Sequence, residues 1–310
     1  MPEQELQEQR DVLIRRSPRP LRLTIGGVGV ELRAEAPDWD AEPVYQPFLD
    51  GSGETAVELH VNVAPRPPAG WNRVRYAAAG PRSGSRLWGV RPSGDGFLVA
   101  VKGPTRATTP ARAARVDRAW TRGDLFVRHD ARHSERARFP LGFPLDVVLF
   151  ASALAHRGGV VAHASALERD GRGVVFTGPS GAGKTTAARL LQRRGFHVLN
   201  DERVVLRVEA GQLAVHGTPW HGALGVVSAG SAPVAAIFFI EHADRTSAVA
   251  LRPPEAARRL VPRCRLPFWD VGAMQSLLAT VDATVRLTPC LALGVRPDDS
   301  LGDLVERFAS

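Results

Sequence analysis

The stretch Gly178-Pro179-Ser180-Gly181-Ala182-Gly183-Lys184-Thr185-Thr186 carries the most specific chemistry in this chain. Glycines at that spacing let backbone N–H groups turn toward phosphate oxygens. A following helix N-terminus adds partial positive charge, a lysine ammonium reaches the β/γ-phosphates, and a threonine hydroxyl binds Mg²⁺. Lys184 and Lys102 are the only lysines among 40 Lys and Arg residues. A chain that otherwise uses arginine keeps a lysine where a compact ammonium on a flexible stem fits better than a planar guanidinium. Residues 178–186 are therefore expected to bind a nucleoside triphosphate, ATP with Mg²⁺, with Thr185 on the metal.

Such a site also needs an acid to hold the metal or take a proton. Asp201 and Glu202 arrive 17 and 18 residues after Lys184. One helix and one short parallel strand would return the chain beside the loop and bring Asp201 near the terminal phosphate. His163 lies 15 residues before Gly178, on the strand expected to pair with the one feeding the loop. A lone histidine on an apolar strand is more often an ordinary core residue. Glu241 ends the most hydrophobic run, Val234–Ile240, and reads either as a metal-supporting acid or as the polar end of a buried strand. Arg252, Arg258 and Arg259 read as solvated helix charges, and Trp220 and Trp269 as packing residues at the edge of the site or core.

The elements that position these residues read as two halves. Residues 1–20 are polar and form an expected flexible arm, 21–138 a β-rich N-terminal domain, and 139–310 the P-loop domain. In the first half, Leu21–Ile25 and Val28–Leu32 flank Gly26-Gly27, a hairpin signal. Val57–Val63, Arg86–Val90, Phe97–Val101 and Leu125–His129 continue an expected antiparallel sheet, with Pro65–Gly70 and Gly103–Pro110 as loops. In the second half, Pro144 opens a buried helix over Leu145–Ala155. Strands at Val160–Leu167 and Val174–Thr177 lead to the glycine loop, then to a helix over Lys184–Arg194 closed by Gly195. A short strand over Phe196–Leu199 and a hairpin of Arg203–Val208 with Gln212–His216 follow. Helices at Pro254–Val261 and Gly272–Ala279 precede a last strand near Leu291–Val295.

Composition narrows the class. Apolar residues make up 44% and charged residues 23%, ordinary for a soluble globular chain. The net charge of +8 comes without a basic stripe interleaved with aromatics, so no nucleic-acid partner is expected. No uncharged apolar run approaches the ~20 residues that span a bilayer, and the charged N-terminus lacks the apolar core of a signal peptide. A cytoplasmic protein without membrane contact is predicted. Cys264 and Cys290 read as small buried hydrophobes, not as a disulfide or metal framework.

Taken together, the segment from His163-Ala-Ser-Ala through the glycine loop to Arg194-Gly195-Phe-His-Val-Leu-Asn-Asp201-Glu202-Arg203-Val204 resembles the catalytic core of HPr kinase/phosphorylase. That family is related to ATP-dependent phosphoenolpyruvate carboxykinase, and the spacing matches without gaps from His163 to Glu202. Gly217-Thr218-Pro219-Trp220 and Ala235–Glu241 also look like the HPr-kinase-like proteins of bacterial peptide-modification clusters. The resemblance implies an α/β P-loop kinase domain of the HPr-kinase/carboxykinase type behind a β-rich N-terminal domain. It implies Asp201 as base toward a hydroxyl, Glu202 as a metal-associated acid and His163 near the transferring phosphate. The implied reaction is ATP-dependent phosphoryl transfer to a Ser or Thr of a small protein or peptide. Such kinases often form oligomers, which leaves a homo-oligomer open here. One departure matters: the family's Glu-x-Arg-Gly signature is replaced by Leu213-Ala214-Val215-His216-Gly217, so reverse phosphorylase activity is not expected. Two alternatives stay open, a nucleotide-binding sensor or scaffold without strong catalysis, and a small-molecule kinase or carboxykinase-like enzyme.

Overall fold

The computed structural model describes residues 20–34, 39–49, 55–71, 88–102, 110–128, 137–296 and 300–309. The expected arm and the loop over 103–109 lie outside them. The chain divides into two compact units. The first takes in Gly29–Glu42 and Leu49–Asp146, and the second Thr24–Val28, Pro43–Phe48 and Val147–Ser310.

The seven-stranded sheet begins with a hairpin of β1 (Leu21–Ile25) and β2 (Val28–Arg33). Gly26 and Gly27 turn it at φ 59° and 73°, the pair of positive angles that a two-residue hairpin of matching twist requires. A two-residue strand β3 (Trp39–Asp40) pairs with its counterpart β9 (Ala137–Arg138) outside this sheet. The sheet continues with β4 (Thr55–Ala64), β5 (Trp88–Ser93), β6 (Gly96–Lys102), β7 (Pro110–Asp117) and β8 (Arg122–Arg128), in the order β1-β2-β4-β8-β7-β6-β5. The expectation of a purely antiparallel sheet fails at its centre: β2–β4 and β4–β8 are parallel. Parallel neighbours need long returns. The β5-β6-β7 meander supplies one between β4 and β8, a choice that strand patterning does not encode. Leu98, Ala100, Ala113, Phe126 and Trp71 form a compact core, and Phe97 stacks on Trp120 with ring centroids 5.4 Å apart.

The C-terminal part of the chain runs through α1 (Leu145–Ala155) and the long strand β10 (Gly159–Arg169), which hairpins into β11 (Arg172–Thr177). The glycine loop leads into α2 (Lys184–Gln192), β12 (His197–Asn200), the hairpin β13 (Arg203–Glu209) and β14 (Gln212–His216), and the long strand β15 (Ser231–His242). β16 (Ser247–Ala250), α3 (Pro253–Leu260), α4 (Val271–Leu287), β17 (Cys290–Val295) and α5 (Ser300–Ala309) complete it. Both long strands change partners midway. β10 pairs with β13 over Gly159–His163 and with β11 over Ala164–Arg169; β15 pairs with β14 at its start and with β11 and β17 further on. The pairings β10-β13-β14-β15-β11 therefore close into a ring.

Period-two alternation sorts the central strands into two cores. Val174, Phe176, Ala236, Phe238 and Ile240 face α2 and α5, whereas Val175, Ile237 and Phe239 face α3 and α4. Asp270 caps α4 by accepting from Ala273 N at 3.1 Å and lies 2.8 Å from His156 Nε2. Both cysteines are buried and unbridged, and burial pushes each thiol up to about 12. The sequence pattern missed α5, although Leu301, Val305 and Ala309 recur at helical spacing and are all buried. It also ended α4 too early. Thr280, Val281, Thr284 and Val285 are β-branched and weak helix formers in isolation, and here burial against the sheet holds them helical.

Candidate functional site

The glycine loop leaves β11 after Thr177, whose Oγ1 donates to His163 O at 3.1 Å. Gly178 is packed so closely on β15 that a Cβ would stand 2.7 Å from Ile240 O, and only glycine lets the chain exit there. Gly183 precedes α2 at φ 100° and provides no side-chain cap. The first N–H groups of α2 thus open toward the loop, the arrangement in which a helix start attracts an anion. Ala182 N donates to Pro179 O at 3.2 Å, while Pro179, Ser180 and Gly181 form the exposed crown. Thr185 is partly buried and Thr186 exposed at the start of α2.

Lys184 is only 6% exposed, and its ammonium donates to Gly178 O (3.1 Å) and Pro179 O (3.0 Å). Burial lowers its pKa, the Glu202 carboxylate opposes that, and the nearby Arg263 charge reinforces it. His163 and Glu202 meet beside it. His163 Nδ1 lies 3.1 Å from Glu202 O and 3.5 Å from Glu202 Oε1. Burial lowers the His163 pKa, the Lys184 charge lowers it further, and Glu202 pulls the other way. Glu202 Oε1 is also 3.5 Å from an Arg203 guanidinium nitrogen. Lys184, His163 and Glu202 therefore form one electrostatic cluster.

The route by which the acids reach this end of the sheet differs from expectation. β12 does not lie beside the strand that feeds the loop; it pairs antiparallel with β10, which sits between β12 and β11. The tight β10–β11 hairpin takes the neighbouring position first, and the acid pair is displaced by one strand spacing, ~4.8 Å. Asp201 is 2% exposed, and both its oxygens are already acceptors: Oδ1 from Gly222 N at 2.8 Å and Oδ2 from Leu224 N at 2.9 Å. The residue expected to take a proton thus also anchors the 217–230 segment. Glu202, one residue on, is the carboxylate whose charge acts on Lys184.

Asn200 shapes this corner. Its Oδ1 accepts from Glu202 N (2.8 Å) and Arg203 N (2.9 Å), and its Nδ2 donates to Thr218 O at 2.9 Å. An Asn ahead of two acids is a turn signal that sequence reasoning could have used. His242 was missed as well. It follows the strand residues read as a buried run, and its Nε2 lies 2.9 Å from Gly181 O. Glu241 is exposed opposite Gly294, on the strand face alternate to His242, and no hydrogen bond or ion pair among the described residues ties it to the loop.

No group of three or more His, Cys, Asp or Glu among the described residues is arranged to hold a metal ion. Mg²⁺ at phosphate sites keeps several waters and takes one or two protein ligands plus the phosphates, and Thr185 and Glu202 fit that sparse mode. No helix of the described residues is long and apolar enough to cross a membrane.

The geometry describes a mixed α/β protein with two multi-stranded sheets, the second carrying a glycine loop between a strand and a helix. Residues 145–278 match the family model described as SynChlorMet cassette protein ScmC. Among solved structures, the Hpr(Ser) kinase/phosphatase from Coxiella burnetii is similar at 14% identity, covering 48% of this chain and 92% of that one with a TM-score of 0.28. No curated protein matches.

Proposed function

We propose that the second unit binds Mg-ATP at residues 178–186 and transfers its terminal phosphoryl group to a hydroxyl, that of a Ser or Thr in a peptide or small protein. One observation carries this reading: a strand–glycine loop–helix unit whose buried Lys184 shares an electrostatic cluster with His163 and Glu202. The uncapped start of α2 supports polyphosphate binding there. Mg²⁺, held by Thr185 and Glu202, would supply positive charge against the charge that develops in the transfer. Lys184 exchanges its two carbonyl partners for phosphate oxygens. His163, kept neutral by burial and by Lys184, lies beside the Glu202 carboxylate. In the transfer the bond from phosphorus to the ADP oxygen breaks, a bond to the acceptor oxygen forms, and the hydroxyl proton passes to a carboxylate. Asp201 can take that proton on a remaining lone pair while its oxygens keep the Gly222 and Leu224 amides.

Leu213-Ala214-Val215-His216-Gly217, standing where the resembling family carries Glu-x-Arg-Gly, favours a second reading, a nucleotide-binding module that does not transfer. Labelled ATP with Mg²⁺ and Ser/Thr peptides separates the two. A labelled peptide, lost in Lys184→Ala, is the expected result. Tight ATP binding with no labelled product selects the module, and a labelled metabolite in place of a peptide selects a small-molecule kinase.

A further inference from the structure

The glycine loop packs on the end of β15. Ile240 and His242 share a strand face there, and a Cβ built on Gly183 would meet their side chains at 3.8 and 4.0 Å. Further out, at the crown, packing gives no support. Gly181 stands at φ 82°, and a Cβ on it would meet nothing within 4 Å. A glycine in open space can rotate its peptide planes at little cost. One polar contact opposes that rotation: His242 Nε2 lies 2.9 Å from Gly181 O. A carbonyl only accepts, so Nε2 carries the proton and donates.

The Gly181–Ala182 peptide is trans, so its C=O and N–H point in opposite directions. With Gly181 O held by His242, Ala182 N–H turns the other way and donates to Pro179 O at 3.2 Å. Lys184 Nζ donates to the same oxygen at 3.0 Å. A backbone N–H and an ammonium thus converge on one oxygen, an arrangement that suits an anionic oxygen better than a carbonyl. Rotation of the peptide would present Gly181 O in place of Ala182 N–H and reverse the sign of that contact. We propose that His242 is a positioning residue for the glycine loop. By holding Gly181 O it keeps Ala182 N–H aimed, together with Lys184 Nζ, at the point where a nucleotide phosphate oxygen replaces Pro179 O. A donor oriented in advance needs no reorganisation when the anion arrives. The proposal rests on the nucleotide reading of residues 178–186.

The test is calorimetric titration of the full chain with ATP and with inorganic tripolyphosphate, each with Mg²⁺, for the wild type, His242→Ala and His242→Gln. Solvent exchange of the Ala182 amide is followed by NMR in the same proteins without nucleotide. His242→Ala should weaken both ligands about fivefold, as expected for the loss of one neutral hydrogen bond, and should speed exchange at Ala182. His242→Gln, whose side-chain NH₂ can donate to the same carbonyl, should restore both affinities and the slow exchange. A merely structural role would weaken binding without recovery in His242→Gln, or without a change at the Ala182 amide, and either result overturns the proposal. A loss for ATP with none for tripolyphosphate would mean that His242 touches the nucleoside, which overturns it as well. Unchanged affinities in His242→Ala overturn it while leaving the nucleotide reading intact. If the wild type binds neither ligand, that reading falls and this inference with it.

Discussion

Two loops in the second unit invite comparison, Gly178–Gly183 and Gly217–Gly230. The first is held from within. Lys184 donates to the carbonyls of Gly178 and Pro179, and Ala182 N to Pro179 O, so its ties join near neighbours in sequence apart from His242 Nε2, 2.9 Å from Gly181 O. The second is held from outside. Its ends meet through Gly217 N and Gly230 O at 2.9 Å, but its middle is fixed by Asp201, and Thr218 is fixed by Asn200. One loop carries its own instructions; the other borrows them from a strand end about twenty residues away. In physical terms the first can exchange its internal partners for a ligand without disturbing the sheet, whereas opening the second strips a buried carboxylate of its donors.

The sharpest way to break that comparison is Lys184→Ala. Turnover should fall by about 10²–10³-fold, the scale of losing one oriented charge contact to a reacting phosphate. Hydrogen exchange at the Gly222 and Leu224 amides should stay unchanged. Faster exchange there would mean that the loops are one unit.

Asp201→Asn comes next. An amide NH₂ set against a backbone N–H leaves one donor unmatched, so about 2 kcal/mol of stability should be lost. Amides of 217–230 should exchange faster while those of 178–183 keep their rates. Equal loosening of both loops would contradict the independence drawn above. Measured beside Glu202→Gln, the same variant also decides the acid. Turnover that survives Asp201→Asn but not Glu202→Gln assigns the chemistry to Glu202.

Asp270→Ala serves as a control away from both loops. Removing the α4 cap and the His156 partner should cost about 1–2 kcal/mol by chemical denaturation and deprotect the first turn of α4 only.

The smallest effect concerns pH. The folded pKa of His163 is lowered, by burial first and the Lys184 charge second, and that of His216 is lowered chiefly by burial. Below the unfolded value of about 6.5 the unfolded chain takes up protons that the folded one refuses. Their contribution is complete above pH 6.5 and is lost as pH falls toward the folded values. Denaturation curves should show stability dropping over that range, with a shallower drop in His163→Gln. An unaltered slope would show that His163 is not the titrating group.

Much of the second unit was legible because its signals are short-range. The Gly26-Gly27 turn, the β13–β14 hairpin and the strand–loop–helix around Lys184 each depend on residues adjacent in sequence. The parallel centre of the first sheet and the insertion of β10 between β11 and β12 were not legible, because pairing partners far apart in sequence share the same alternating pattern. His242 escaped for a related reason. It lies just beyond the hydrophobic run that periodicity could read, and only the packing of that strand beside the loop brings its ring to Gly181 O.

The sequence by itself determined the glycine loop, its lone lysine and the arrival of two acids 17 and 18 residues later, since backbone freedom and helix-start polarity are local properties. Which acid faces the lysine was decided only by tertiary structure. Backbone N–H groups at Gly222 and Leu224 claim the Asp201 carboxylate, and the neighbouring Glu202 is left to His163 and Lys184.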